Sequence, residues 1–211
     1  MANTGCVSPW HVKPVHGPVM NDLLSALTPH RTPAQLDAAL DTIRQSPKSA
    51  GTVVMIVRRP AVNQREIIGT ALLDTVTGLA GDNWLARGDR KQPGGHANAD
   101  MQLNLMNART IAAIAGDQTH WPLAGDQFFV DLDLGKANLP PGTQLEIGSA
   151  LIEVTAEPHL GCKKFASRFG ADAVQFVNSA QGKVLNLRGI NARIIRNGQV
   201  RVGDSIVPIR P

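Results

Sequence analysis

Cysteine occurs only twice in these 211 residues, at Cys6 and Cys162. Cys162 stands in the stretch EPHLGCKKFASRFG, residues 157–170, with His159 three positions before it and Lys163, Lys164 and Arg168 after it. A free thiol ionises near pH ~8.5, and both neighbouring positive charge and a helix N-terminus favour the thiolate. The segment supplies the charges, and KKFASRFG reads as a helix that starts at the cysteine. Gly161 permits close backbone approach to a ligand, and His159 is placed to accept or donate a proton. The alternative is an inert core cysteine, and a His-Gly-Cys-Lys-Lys setting argues against it. With no CxxC pair and the second cysteine far away, neither a zinc site nor a disulfide framework is expected.

The charge balance changes at the same motif. Residues 158–211 hold nine Lys or Arg against two acids, whereas residues 1–157 hold twelve against fifteen. An anionic ligand beside Cys162 is therefore expected, with anchors drawn from Lys163, Lys164, Arg168, Arg188 and Arg193. Arginine offers planar, bidentate donors that suit phosphate. The alternative is a solvated basic face. Not all five can point inward, and Arg188, in a loop before Gly189, is the favoured anchor. Arg109, at the entrance of a helix, is either a further anchor or an exposed helix residue. Asp82, Asp89 and His96 lie in a long polar loop and could orient a substrate or move protons; Asp82 could equally form a turn. Asn104 and Gln102 alternate with leucines and so share one face of a strand.

Those residues need a scaffold. PVMNDLLSALTP (18–29) reads as a short helix. TPAQLDAALDTIRQ (32–45) reads as a better one, with Thr32 as cap and Pro33 in the first turn. Beyond residue 48 the pattern turns to β. GTVVMIVRR (51–59) and REIIGTALL (65–73) suggest a hairpin, and residues 78–102 a long Gly/Asp/Asn loop. QLNLM, QFFVDLD, TQLEIG and ALIEVTAE read as strands, with a helix at 107–116 closed by Gly116. A second helix is expected at 171–179. INARIIR and QVRVG flank Asn197-Gly198, a strong hairpin signal. No internal repeat is evident. The fold class is mainly β with some α: a β-barrel-like domain over 49–211, peripheral helices, and a short helical extension over 1–48.

Five segments in order resemble the MOSC domain, the C-terminal module of molybdenum cofactor sulfurases that also occurs as a stand-alone protein. They are GLAGDNW (78–84), QLNLMNARTIAAIAG (102–116), LAGDQFFVDLDLGKANLPPGTQLEIGSALIEVT (123–155), PHLGCKKFASRFG (158–170) and LRGINARIIRNGQVRVGDSI (187–206). Where the family often carries histidine after its first Gly-Asp, this chain has Asn83-Trp84, and His96 is the candidate to take that place. The resemblance implies a barrel-like fold and a cysteine, Cys162, that carries sulfur as a persulfide or ligates molybdenum. It also implies binding of the molybdenum cofactor, an anionic pterin with a phosphate, and an activity that is either sulfur transfer or molybdenum-dependent reduction of N-hydroxylated compounds. Such an activity leaves room for a sulfur donor or redox partner protein. Pyridoxal phosphate is not expected on this chain, since 211 residues cannot also hold the domain that uses it.

Two other classes fit parts of the sequence. A cofactor-free Cys-His thiol enzyme would use Cys162 and His159 alone. A nucleic-acid-binding module would use the basic tail, but 4% aromatics and no tyrosine leave few rings for base stacking. With no apolar run long enough to span a bilayer and no signal-peptide pattern, a cytoplasmic protein without membrane contact is expected.

Overall fold

The structure is a computed structural model that describes residues 28 and 30–210. Cys6 and nearly all of the helix expected at 18–29 lie outside the described residues. In chain order the elements begin with α1 (Pro33–Ala38), α2 (Leu40–Arg44), β1 (Gly51–Arg58), β2 (Glu66–Ile68), β3 (Thr70–Asp74), β4 (Gly78–Leu79) and α3 (Trp84–Arg87). Then come β5 (Leu103–Asn107), α4 (Ala108–Ala115), β6 (Phe128–Asp131), β7 (Gln144–Ile147) and β8 (Ala150–Val154). The chain continues through α5 (Lys163–Phe169), α6 (Ala171–Asn178), α7 (Ala180–Val184), β9 (Ile190–Arg196), β10 (Gly198–Arg201) and β11 (Ser205–Pro208).

Seven strands close a barrel in the order β1-β11-β7-β8-β9-β5-β6, with β6 returning to β1. Every ladder of the barrel is antiparallel except β5 with β6, which is parallel and needs the α4 crossover between them. A three-stranded sheet, β10-β3-β4, stands beside the barrel.

The apolar run of β1 is buried on both faces, which explains why it does not alternate. Its pairing with β6 shifts register between Val53 and Met55. As a result Val53 and Ile56 both join the barrel interior, with Leu103, Leu105, Phe128 and Ile152, although they are three residues apart. Val54, Met55 and Val57 face outward into a second core under the helices, against Met106, Ile111, Trp121, Phe129 and Phe165. Leu36 of α1 and Ile43 of α2 are buried in that same second core. Thr32 caps α1 with a full capping box, and Pro33 opens the helix.

Several expectations are corrected. The helix expected at 32–45 is two short helices that meet at Ala39. The 65–73 run is split at Gly69: β2 pairs with β1, while β3 leaves for the small sheet and pairs with β10. Asn197-Gly198 does not make a hairpin, because β9 pairs with β8 and β5 while β10 pairs with β3. Asn197 instead ties β3 down: its amide donates to Asp74 Oδ2 (2.8 Å) and its Oδ1 accepts from the Thr75 N–H (2.8 Å). Gly198 is needed for contact, since a Cβ there would sit 2.4 Å from the Ala150 nitrogen. Two helices were not expected. In α3 the Trp84 N–H is accepted by Asp82 Oδ1, and in α7 Ser179 caps through the Gly182 N–H.

Candidate functional site

Arg59 directly follows β1, and the loop after β4 returns Asp82 to meet it. Arg59 donates from Nε and Nη2 to the two Asp82 oxygens at 2.8 and 2.9 Å, and its backbone N–H donates to Oδ2 at 3.0 Å. Its Nη1 donates to Asn104 Oδ1 (2.8 Å) and to the Gly125 carbonyl (3.0 Å). Asn104 passes the network on through its amide to Asn191, whose own amide donates to the Glu157 carbonyl at 3.1 Å. Asp82 is thus the buried partner of an arginine as well as a turn former. A bidentate, fully bonded pair of this kind satisfies a buried charge that would otherwise be costly.

A second pair lies alongside. Arg188, just before β9, donates from Nη1 to Asp126 Oδ2 at 2.7 Å and from Nη2 to the Ala124 carbonyl at 3.0 Å. Its guanidinium lies 4.8 Å from the centre of the Phe165 ring on α5. The favoured phosphate anchor is therefore already engaged by an aspartate that the sequence reading did not select. Gly189, at φ 112°, has no room for a side chain: a Cβ would lie 2.2 Å from the Leu105 carbonyl oxygen and 3.3 Å from His159 Nδ1. His159 is packed against this wall. Its Nδ1 lies 3.6 Å from Asp126 Oδ1, too far for a hydrogen bond, and both atoms are buried without a partner. Burial, and then the Arg188 charge, push the imidazole down from 6.5 to about 3, so it is neutral at physiological pH. With its protonated form so disfavoured, the imidazole is a weak base at physiological pH and has no acidic proton to give.

Arg65, just before β2, donates from Nη1 to the Gln64 carbonyl (2.6 Å) and makes no ion pair with a carboxylate among the described residues. It is buried, its Nε has no partner, and its charge faces those of Arg168 and Arg59. Burial first, then these two arginines, lower it from 12.5 to about 10, while Asp82 and Asp126 pull the other way. Arg168 reaches across from α5 to the Leu123 carbonyl. Arg87 stands at the exposed edge of the cluster, beside Arg59 and Asp82. Five arginines therefore converge on two carboxylates.

Cys162 is the N-cap of α5 and is exposed. The strap of residues 155–162 that leads from β8 to this cap is held by Asn178, which accepts from the Gly161 N–H (2.9 Å) and donates to its carbonyl (3.0 Å). Lys163 and Lys164 are exposed on the first turn. Of the expected site residues, His159, Arg168, Arg188, Asp82 and Asn104 come together around the buried network; Cys162 follows His159 on the strap, and Lys163 and Lys164 follow on α5. Three others do not join it. Arg193 faces outward from β9 and pairs with Glu153 (2.6 Å) and Asp100 (3.4 Å), because odd and even positions of a strand face opposite ways. Arg109 pairs with Asp131 (2.7 Å) and donates to the Thr42 carbonyl (3.1 Å), tying α4 to the barrel and to α2. His96 is exposed on its loop. Among the described residues no group of three or more His, Cys, Asp or Glu could hold a metal ion, and no helix is long and apolar enough to cross a membrane.

Arg59, Arg65, Arg87 and Asp126 were missed by the sequence reading, which took Arg59 and Arg65 only as strand ends flanking a hairpin turn. One signal was available. The tetrapeptide Leu-Ala-Gly-Asp occurs at 79–82 and again at 123–126, and both aspartates prove to hold a buried arginine.

The profile of the MOSC domain matches residues 92–207, more than half of the chain. The YuaD protein of Bacillus subtilis is similar in fold, with TM-score 0.57 and 16% identity over 77% of this chain and 97% of that one. YiiM from Escherichia coli (TM-score 0.50, 20% identity) aligns over 76% of this chain and 70% of that chain. YiiM from Geobacillus stearothermophilus (TM-score 0.51, 15% identity) aligns over 76% and 75%. No curated protein matches the sequence.

Proposed function

Since the chain belongs to the MOSC domain family, we propose that it binds the molybdenum cofactor between Cys162 and the arginine cluster and works as a small molybdenum-dependent reductase of N-hydroxylated compounds. The observation that carries this reading is Arg65: a buried guanidinium with an unpartnered Nε, set among like charges. Such a residue is costly unless an anion completes it. The residues fit the group. Arg65 and Arg168 would hold its phosphate, with Arg59 and Arg188 behind them fixed by Asp82 and Asp126. Cys162 offers a soft sulfur of the kind molybdenum accepts. When bound, the cofactor would supply the two-electron redox centre.

The chain's own residues do the rest. Asn178 fixes the strap so that Cys162 stays at the head of α5. His159, neutral and set beside Asp126 and Arg188, is a weak base at neutral pH and lines the site rather than moving a proton. The exposure of Cys162 also supports a second reading, in which the thiolate takes a sulfur atom from a donor protein's persulfide and leaves that donor as a thiolate. The cofactor-free Cys-His enzyme is less well supported. The contacts of His159 are with Asp126, Arg188 and the Ile190 backbone, and among the described residues no hydrogen bond joins it to the Cys162 thiol.

The test is molybdenum and pterin content of protein purified from a molybdate-supplied host, for wild type and Cys162→Ser. The proposal expects close to one of each per wild-type chain, and reduction of a hydroxylamine by the loaded protein with an artificial electron donor. Wild type free of both would overturn it. A persulfide on Cys162 without molybdenum would favour the sulfur-carrier reading.

A further inference from the structure

Beside the strap lies a cavity of about 540 Å³ whose lining takes in His159, Arg188 and Asn191 of the buried network. Neither Cys162 nor Arg65 lines it. It opens between residues 154–160, the loop around Leu139, and the α6–α7 corner, and its walls include Leu139, Pro140, Val154, Leu160 and Val177. The volume is in the range that small-molecule sites occupy.

The charges of the lining are lopsided. Lys136 and Lys183 both line the cavity, and the backbone of Lys136 is bonded to the carbonyl of Val184, so the two lysines stand on one lip. Both are exposed, and neither takes part in an ion pair among the described residues. Arg188 at the floor is neutralised by Asp126 at 2.7 Å. Glu157 is the one acid in the lining, and its Oε1 accepts from the Asn98 amide at 3.4 Å. An apolar chamber with two unpaired cations at one lip suits a ligand with an apolar body and one anionic end. The apolar walls would bury the body, while the lysines meet the charge at the mouth, where water still screens it.

We propose that this cavity binds a small free organic acid, an aliphatic or aromatic carboxylate whose body fills the chamber and whose charged end lies between Lys136 and Lys183. The cavity shares His159 and Arg188 with the buried network, but the proposal rests on Lys136 and Lys183 and stands or falls without molybdenum.

The test is fluorescence titration of the whole protein with anilinonaphthalene sulfonate, an aromatic anion, followed by competition with octanoate and with octanol. The same titration is run on the Lys136→Glu/Lys183→Glu double variant. A control, Arg44→Glu/Arg201→Glu, makes the same change of net charge at exposed positions outside the lining. The proposal expects one probe per chain, displaced by octanoate more readily than by octanol. It expects affinity to fall on the order of tenfold in the lysine variant and to hold in the control. No binding to the wild type, equal displacement by octanol, or equal affinity in the lysine variant would each overturn it. An equal fall in the control would also overturn it, since the effect would then be net charge alone.

Discussion

The two Leu-Ala-Gly-Asp turns place the same chemistry in two different states. At 79–82, Asp82 receives three hydrogen bonds from Arg59 and one from the Trp84 N–H, so that both oxygens are satisfied. At 123–126, Asp126 takes Arg188 on one oxygen only; its other oxygen, Arg188 Nε and His159 Nδ1 are buried and unpartnered. In both, the glycine before the aspartate has positive φ, 77° and 90°, which turns the carboxylate inward. The first pair is complete and reads as scaffold. The second is incomplete and adjoins the strap that carries Cys162. Polar groups left unsatisfied in a native interior are where a ligand, a water or a proton is expected to act.

The largest expected effect breaks the complete pair. Asp82→Ala leaves Arg59 buried without a counter-charge, and urea unfolding should show a loss of about 3–5 kcal/mol. A loss under about 1 kcal/mol would mean that Asn104 and the Gly125 carbonyl suffice to hold the guanidinium. Next is removal of residues 1–48, which we propose form an extension to a domain spanning 49–211. This change strips Leu36 and Ile43 from the second core, so the shortened chain should fold with stability lower by about 2–5 kcal/mol. An unfolded product would show that α1 and α2 complete the domain.

A smaller effect separates the incomplete pair by its pH dependence. His159 has a folded pKa of about 3 against an ordinary value of 6.5. Between these values the unfolded chain binds the extra proton, so stability is full above pH 6.5 and falls as pH drops toward 3. The slope from this group is at most about 1.4 kcal/mol per pH unit. His159→Gln should flatten the acid limb of a plot of stability against pH over that window, whereas a limb of unchanged slope would show that the imidazole is solvated. The smallest effect on stability is at Cys162. Exposed and without a cap hydrogen bond, it should tolerate serine within about 0.5 kcal/mol. Native alkylation mapped by mass spectrometry should nonetheless depend on it, and a Cys162 left unlabelled in the native protein would contradict a reactive thiol.

Local patterns in the sequence carried much of the fold. Thr32-Pro33 and Gly116 mark helix ends by capping chemistry that acts within a few residues, and they are found where the sequence places them. Pairing partners are non-local, which is why Asn197-Gly198 misled: the dipeptide permits a hairpin, but contacts with Asp74 and Ala150 decide otherwise. The candidate site divides in the same way. Cys162 and His159 stand out because their neighbours in the chain are unusual. Arg59 and Asp82 are 23 residues apart and Asp126 and Arg188 are 62 apart, so only the folded chain shows which arginines are neutralised and which are not.

The central claim is that an anion completes the buried arginine cluster. It is tested most directly by molybdenum retention after gel filtration of Arg65→Ala beside Arg193→Ala, each made in a molybdate-supplied host. Arg193 is the exposed, already paired control. The account predicts that Arg65→Ala loses on the order of ten- to a hundredfold in cofactor affinity, as befits a charge-assisted contact of about 1.5–3 kcal/mol, while Arg193→Ala retains the wild-type content. Equal retention by the two variants would contradict it.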